Sequence, residues 1–196
     1  MKHFIYFSKS AVTSGNALSG GNLMKAGRMD IAIHVVIAAF FLSHDFRKDV
    51  KLHLIFYGQP DPPKHIEIQV TDELEISKKD VGNLIKKILY KYKPGKKTEV
   101  LPECFIEKKS LLNVVEELSE EENKIFLLDK RGENIRQAEI PDNCVFILGD
   151  HEGIQGKEMK RLKKISESVS IGNKTYFASQ TVAIVNNELD LRESNA

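Results

Sequence analysis

The sequence predicts an α/β protein built on a largely parallel sheet. Short apolar runs of strand length alternate with longer amphipathic segments, and several of these runs are apolar throughout, as strands buried on both faces require. Two of them, at residues 144–148 and 169–171, lead into turns that contain glycine. Because ligands bind beyond the carboxyl ends of strands in open α/β sheets, the two turns together predict one composite small-molecule site.

The individual elements follow from periodicity and from turn residues. Strands are expected at residues 4–7, 50–57, 65–70, 124–128, 144–148 and 169–171, and helices at 30–44, 78–92, 110–118, 155–165 and 178–189. The strand at 65–70 alternates apolar and polar residues, which predicts a more exposed position. Residues 8–21 are polar and rich in glycine, which predicts a long functional or mobile loop. A single domain over residues 1–196 is expected from the length of the chain.

Composition restricts the class of protein. Hydrophobic residues make up 41% and charged residues 29% of the chain, and the net charge is +1, so any nucleic-acid binding must come from local basic patches. Cys104 and Cys144 form no CxxC motif and the six histidines are scattered, so no metal site is expected, and His34 is assigned to the core. No secretory signal is visible and the longest apolar run, 31–42, is too short to span a bilayer, which indicates a cytoplasmic protein without a membrane partner.

Three features suggest chemistry, each with a plainer alternative. The turn from Gly149 to Gly153 is either a backbone requirement or the floor of a cofactor site, where missing Cβ atoms expose amide groups. Asp30 is either a helix N-cap or a residue that, together with Arg28, binds a phosphate and the edge of a base. Asp129, which ends an apolar strand, is either solvated or a ligand contact.

Two groups of cations are candidates for phosphate contacts, although such faces are commonly only solvated. The first group is Lys157, Lys160, Arg161, Lys163 and Lys164, and the second is Lys86, Lys87, Lys91, Lys93, Lys96 and Lys97. Tyr90 and Tyr92 interleave with the second group and are candidates for base stacking or for core packing.

Several segments, taken in order, resemble the SPOUT class of methyltransferases and in particular the archaeal tRNA pseudouridine(54) N1-methyltransferase family, TrmY. The segments are Ser14-Gly15-Asn16, Ala26-Gly27-Arg28-Met29-Asp30, Ile125-Phe126-Leu127-Leu128-Asp129, Phe146-Ile147-Leu148-Gly149-Asp150-His151-Glu152-Gly153, and the chain from Ser170-Ile171-Gly172 to Asn187-Glu188-Leu189-Asp190. The resemblance covers nearly the whole chain, and its last two segments are the most specific.

The resemblance implies a fold, a cofactor and an assembly. The fold would be a SPOUT-type, mostly parallel sheet flanked by helices, with a deep trefoil knot at the carboxyl terminus, and the protein would be a homodimer. Within the single domain, the amino-terminal half would face the RNA, and residues from about 120 to 190 would form the knotted, cofactor-binding part. The cofactor would be S-adenosyl-L-methionine. Matching positions assign its binding to Leu127, Leu128, Gly149, Asp150, Gly153, Ile171, Gly172, Tyr176, Ala178 and Thr181. Thr181 stands where many relatives carry a cysteine, which argues against a thiol-based role.

The resemblance also implies the reaction, which is N1-methylation of pseudouridine 54 in the T-loop of tRNA. Arg28 and Asp30 are the expected catalytic residues, with Asp150 and Glu152 as rival acids. Two alternatives remain open at this point. One is methylation of ribosomal RNA, as in the similar Nep1 family, and the other is a non-catalytic RNA-binding or assembly factor with the same fold.

Overall fold

The protein is described by a computed structural model that covers residues 1–19, 22–74 and 76–194, so the last two residues of the predicted 8–21 loop lie outside the described part. The strands are β1 (Lys2–Ser8), β2 (Val50–Phe56), β3 (Lys64–Gln69), β4 (Thr98–Leu101), β5 (Cys104–Glu107), β6 (Lys124–Asn134), β7 (Cys144–Gly149) and β8 (Glu167–Ser170). The helices are α1 (Met29–Phe40), α2 (Val81–Tyr90), α3 (Leu111–Glu120), α4 (Gly156–Ile165) and α5 (Ala178–Ser194).

In the part of the chain that the structure describes, the eight strands form one sheet in the order β4-β5-β3-β2-β1-β7-β6-β8. The five strands β2, β1, β7, β6 and β8 are parallel, which confirms the predicted α/β class. Strands β3, β5 and β4 extend the sheet antiparallel. The sequence does not predict the β4–β5 hairpin, because its strands have only four residues each. The parallel strands bring their carboxyl ends, including Ser8, Gly149 and Ser170, to one edge of the sheet.

Helices cover both faces of the central strands. On β1, Phe4 and Tyr6 point to the face of α1, α2 and α5, whereas Ile5 and Phe7 point to the face of α3 and α4. All four side chains are buried, which explains why these strands show no alternation of apolar and polar residues. The fold therefore has two hydrophobic cores, one on each face of the sheet, and both extend to the edge at which the parallel strands end.

Some sequence expectations need correction. Strand β3 is buried along most of its length rather than exposed, because it lies inside the sheet between β2 and β5. His34 is exposed on α1 and not in the core. Strand β6 continues past Asp129 to Asn134, with an irregular register against β8. Within the described residues, no helix combines the length and apolarity needed to cross a membrane.

The amino-terminal loop is held against α2. A short 3-10 helix, Gly15–Leu18, follows Ser14, whose hydroxyl accepts a hydrogen bond from the Asn16 amide. A Cβ on Gly15 would lie 2.4 Å from the ring of Tyr90, so only glycine permits this approach. The Tyr90 hydroxyl donates to Oδ1 of Asn16 at 2.7 Å. The loop is therefore fixed beside the carboxyl end of α2.

Candidate functional site

A cavity of about 540 Å³ opens at the carboxyl edge of the parallel strands. It is lined by residues 127–130 of β6, by the end of β7 and the turn after it, by the segment that follows β8, by Ile31 of α1 and by the start of α5. All ten residues predicted to bind a cofactor line it: Leu127, Leu128, Gly149, Asp150, Gly153, Ile171, Gly172, Tyr176, Ala178 and Thr181. Asp129 lines it too. Its volume is within the range typical of small-molecule and cofactor sites, roughly 300–1,000 Å³.

The turn after β7 depends on glycine at both ends. A Cβ on Gly149 would come within 2.8 Å of the Cα atom of Gly153, so a side chain there would displace the turn. Gly153 adopts a φ of 69° and has open space where a side chain would start. Its amide donates to the Asp150 carbonyl at 3.0 Å. The turn therefore needs glycine for its backbone. Because it also lines the cavity, its role as the floor of a cofactor site stays a prediction.

Asp150 joins the turn to the end of β1. Its backbone amide donates to the Phe7 carbonyl at 2.9 Å. Its carboxylate is fully enclosed and accepts hydrogen bonds from the Ser8 hydroxyl at 2.6 Å and from the Glu152 amide at 2.8 Å. Since both oxygens are engaged, the side chain acts as a brace of the cavity wall. This geometry is unfavourable for the alternative in which Asp150 is the acid–base group.

The turn after β8 forms the opposite wall. The Gly172 amide donates to the Ser170 hydroxyl oxygen, and that hydroxyl donates to the Gly172 carbonyl at 3.0 Å. Gly172 has a φ of 141°, which side-chain-bearing residues rarely adopt. Beyond it, Tyr176 and Phe177 lie at the mouth of the cavity, and Phe177 is 76% exposed.

Arg28 and Asp30 stand beside the cavity rather than in its lining. Nε and Nη2 of Arg28 each donate to one oxygen of Asp30 at 3.0 Å, forming a bidentate pair at the start of α1. The bonds from Arg28 lower the pKa of Asp30, so the carboxylate is ionised. The next residue, Ile31, lines the cavity. The N-cap alternative for Asp30 is wrong, because Arg28 holds that position and its side chain makes no capping bond.

A buried tyrosine, Tyr6, interacts electrostatically with this pair and with Asp150. Tyr6 is inaccessible to solvent, and burial is the main cause that raises the pKa of its hydroxyl. The charge of Asp150 raises this pKa further, with a smaller contribution from Asp30. The negative charges of both Asp150 and Asp30 therefore affect the pKa of Tyr6. The sequence does not single it out, because a tyrosine in an apolar strand has the pattern of a core residue.

A row of histidines crosses the sheet away from the cavity. Nδ1 of His3 lies 3.0 Å from Nε2 of His53, and Nδ1 of His53 lies 2.9 Å from Nε2 of His65. Nδ1 of His65 lies 3.0 Å from Oε1 of Glu107. Burial opposes ionisation of Glu107, but bonds from His65 and Lys109 outweigh it and lower its pKa to about 2. The Glu107 carboxylate only accepts, so every Nδ1 in the row is assigned as a donor.

Two histidines of this row, together with a neighbouring glutamate, have the composition of a metal site. Donor atoms of His53, His65 and Glu67 lie within 4.8 Å of one another. The facing ring nitrogens, however, already bond to each other, and the Glu67 carboxylate pairs with Lys51 at 3.2 Å and Lys97 at 2.8 Å. Because these donors are engaged, we assign no metal to them.

The fold and the cavity define a class: an α/β protein whose parallel strands present a cofactor-sized site at their carboxyl ends. Comparison with solved structures supports the fold. The chain is similar to Nep1 of Archaeoglobus fulgidus, which was crystallised with S-adenosylhomocysteine, at a TM-score of 0.64 and 12% identity, covering 98% of this chain and 99% of that one.

Sequence comparison then identifies the family. Residues 1–194 match the family described as "Putative SAM-dependent RNA methyltransferase", and the chain belongs to it. The chain is 32% identical to the tRNA (pseudouridine(54)-N(1))-methyltransferase of Methanococcoides burtonii, over 97% of this chain and 96% of that protein. It is 35% identical to the enzyme of the same name from Methanocella arvoryzae, over 98% of this chain and all of that protein. The predicted resemblance is thereby confirmed.

Proposed function

We propose that this protein methylates N1 of pseudouridine 54 in the T-loop of tRNA, with S-adenosylmethionine as methyl donor. The principal structural support is that the residues predicted from the sequence to bind this cofactor line one cavity at the carboxyl edge of the sheet. Identities of 30–36% to proteins named for this reaction support the tRNA substrate over ribosomal RNA, since the likeness to Nep1 lies in the fold.

The residues of the cavity fit the proposed cofactor. Leu127, Leu128 and Ile171 provide apolar surface for a purine, and Gly149, Gly153 and Gly172 leave backbone atoms open for polar contacts. When bound, the cofactor supplies an electrophilic sulfonium methyl group, so the chain itself has to position the nucleophile and accept a proton. We propose that the segments after β6, β7 and β8 form the trefoil knot found in SPOUT enzymes.

Pseudouridine is joined to ribose through carbon and therefore has an N1–H group that uridine lacks. Methylation requires that this proton leave and that N1 face the methyl group. We assign this task to the Arg28–Asp30 pair, with Asp30 as proton acceptor or base-edge anchor and Arg28 as partner of a phosphate or of the developing negative charge. Asp30 is partly exposed, unlike Asp150, which suits a group that meets an RNA base.

The position of the pair suggests how it changes during the reaction. Both oxygens of Asp30 accept bonds from Arg28, so a base edge can reach the carboxylate only if one of these bonds opens. Pairing with RNA would draw Arg28 towards phosphate and release an Asp30 oxygen. The pair would then be an unreactive arrangement in the free enzyme.

We also propose a cytoplasmic homodimer. Phe177 and Tyr176 expose aromatic surface at the mouth of the cavity, where a second copy would cover them and complete the site.

The function is tested by methyl transfer from labelled S-adenosylmethionine to three RNAs: a tRNA transcript, the same tRNA with pseudouridine at position 54, and pseudouridylated ribosomal RNA. Transfer only to the pseudouridylated tRNA is expected. Transfer to ribosomal RNA instead would favour the Nep1-like reaction, and tight RNA binding without any transfer would favour a non-catalytic factor.

A further inference from the structure

The positive charge of the chain is concentrated in one segment. Residues 77–97 contain eight lysines and a single acidic residue, Asp80, for a net charge of +7. The rest of the chain has 21 basic and 27 acidic residues, for a net charge of −6. A chain that is almost neutral as a whole is therefore strongly polarised, and a polyanion would be attracted to this one region.

Five of these lysines make up what we call the α2 lysine patch: Lys86, Lys87, Lys91, Lys93 and Lys96. Among the residues that the structure describes, none of the five has a hydrogen bond or an ion pair through its side chain, and all but Lys86 are exposed. By contrast, Lys97 at the end of the segment pairs with Glu67 at 2.8 Å. The patch thus offers ammonium groups that no acidic side chain in the described part of the chain neutralises.

The second cationic group, on α4, has a different environment. Arg161 pairs with Glu116 at 2.9 Å, and Lys163 pairs with Asp129 at 3.2 Å. Helix α4 packs beside α3, which carries a further carboxylate at Glu120. Two of the five α4 cations are thus neutralised by acids, whereas no member of the α2 lysine patch has an acidic partner among the described residues, so the observations favour the α2 lysine patch for a polyanion.

The carboxyl end of α2 also lies at the edge of the sheet where the parallel strands end and the cavity opens. Nζ of Lys64, at the start of β3 and opposite Phe56 at the end of β2, lies 3.9 Å from the centre of the Tyr92 ring. Tyr90 fixes the loop that contains Asn16 and leads on to Arg28. The end of α2 that carries the patch therefore contacts the loop that leads, along the chain, to the Arg28–Asp30 pair beside the cavity.

We infer that the α2 lysine patch binds backbone phosphates of the double-helical stem next to the loop that enters the cavity. This inference rests on the proposed function for its RNA and adds the docking surface. Phosphate contact is favoured over base stacking, because the Tyr92 ring is covered by Lys64 and the Tyr90 ring packs on Gly15. The patch orients the stem, and sequence is not read there.

The test compares two triple variants of the full chain. Lys87→Gln/Lys91→Gln/Lys93→Gln removes three of the five charges of the patch. Lys157→Gln/Lys160→Gln/Lys164→Gln removes the same number of charges from α4, at exposed lysines that have no ion pair within the described residues. The measurements are S-adenosylmethionine affinity by calorimetry and affinity for pseudouridylated tRNA at several salt concentrations. For the patch variant we expect at least tenfold weaker tRNA binding and a salt slope smaller by about 0.7–0.9 for each phosphate that is no longer neutralised. Its cofactor affinity should be unchanged.

The α4 variant should bind tRNA within about twofold of the original protein. The inference is overturned if the patch variant keeps the original affinity and salt slope, or if the α4 variant loses affinity equally. The proposed function is tested by a separate measurement. If the original protein, without substitutions, transfers no methyl group to pseudouridylated tRNA, the proposed reaction is contradicted. The effect of the patch is judged from tRNA binding alone.

Discussion

At the scale of single residues, two aspartates near the cavity have opposite environments. Asp150 is enclosed and braced by Ser8, whereas Asp30 is partly open and paired with Arg28. A chemical role needs access to substrate, while a structural role needs satisfied hydrogen bonds. The two residues should therefore respond differently to loss of charge.

Asp30→Asn should reduce kcat at saturating substrates by about 100-fold or more, the usual range for a general base, with cofactor affinity retained. Asp150→Asn should instead lower stability and cofactor affinity. The Ser8 hydroxyl and the Glu152 backbone amide each donate to a different oxygen of Asp150, and asparagine has only one acceptor oxygen. Single-turnover kinetics and calorimetry separate the two effects. An Asp30→Asn variant with full turnover would remove Asp30 from the reaction, and partial recovery in Asp30→Glu would support a proton-acceptor role.

The contribution of the hydrogen bond between Ser8 and Asp150 to stability can be tested against a control substitution. Ser8→Ala removes the donor to the buried Asp150 carboxylate and should lower the free energy of unfolding by about 1–3 kcal/mol. Ser77→Ala removes a similar bond, from Ser77 to Asp80 at 2.7 Å, at an exposed position. That control should change stability by no more than about 0.5 kcal/mol in urea unfolding. Equal effects of the two substitutions would contradict the proposed brace.

At the scale of elements, the histidine row connects three neighbouring strands of the sheet and ends on a fourth. His3 on β1, His53 on β2 and His65 on β3 are buried, and their nearly parallel rings meet edge to edge. Burial is the main cause that lowers the pKa of His3 to about 4 and that of His53 well below its usual value. The folded protein therefore keeps the rings of His3 and His53 neutral at a pH where the unfolded chain protonates them.

Stability should consequently fall with acidification, first through the histidines. Since the unfolded chain binds protons near pH 6.5 and folded His3 only near pH 4, the free energy of unfolding drops across this interval, by on the order of 3 kcal/mol for His3. Glu107, with its pKa lowered to about 2, adds a further loss below about pH 4.5.

The comparison uses His3→Gln, which does not titrate, and the exposed His151→Gln as control. His3→Gln should lose less stability between pH 6.5 and pH 4 than the original protein, as measured by denaturant unfolding at each pH. An unchanged pH dependence in His3→Gln would contradict the assignment of a neutral, buried ring.

At the scale of the whole molecule, the residues to which we assign the proposed function come from both halves of the sequence. The lysine-rich segment and the Arg28–Asp30 pair belong to the amino-terminal half, and most of the cavity lining belongs to the carboxyl-terminal half. Parallel pairing of β1 with β7 brings the two halves to one edge. A second copy at the cavity mouth would complete this arrangement.

The dimer predicts that Phe177 affects the oligomeric state as well as the cavity that it lines. Phe177→Glu should shift the protein towards monomer in sedimentation and weaken S-adenosylmethionine binding by about tenfold or more, because a charge would enter an apolar contact. Leu42→Glu is the control, since Leu42 is 42% exposed just beyond α1. Unaltered sedimentation together with unaltered cofactor affinity in Phe177→Glu would argue against an interface at the cavity mouth.

Local patterns along the chain predict the α/β class, most of the helices and strands, and the glycine turns at the cavity, because apolar runs and turn residues act over short distances. They do not indicate the β4–β5 hairpin, the burial of β3 or the histidine row, because these depend on which strands become neighbours. Six scattered histidines show no pattern in the sequence, and three of them meet only when β1, β2 and β3 pair. The distinction between Asp30 and Asp150 likewise comes from packing, since burial and hydrogen-bond partners determine whether a carboxylate can reach a substrate.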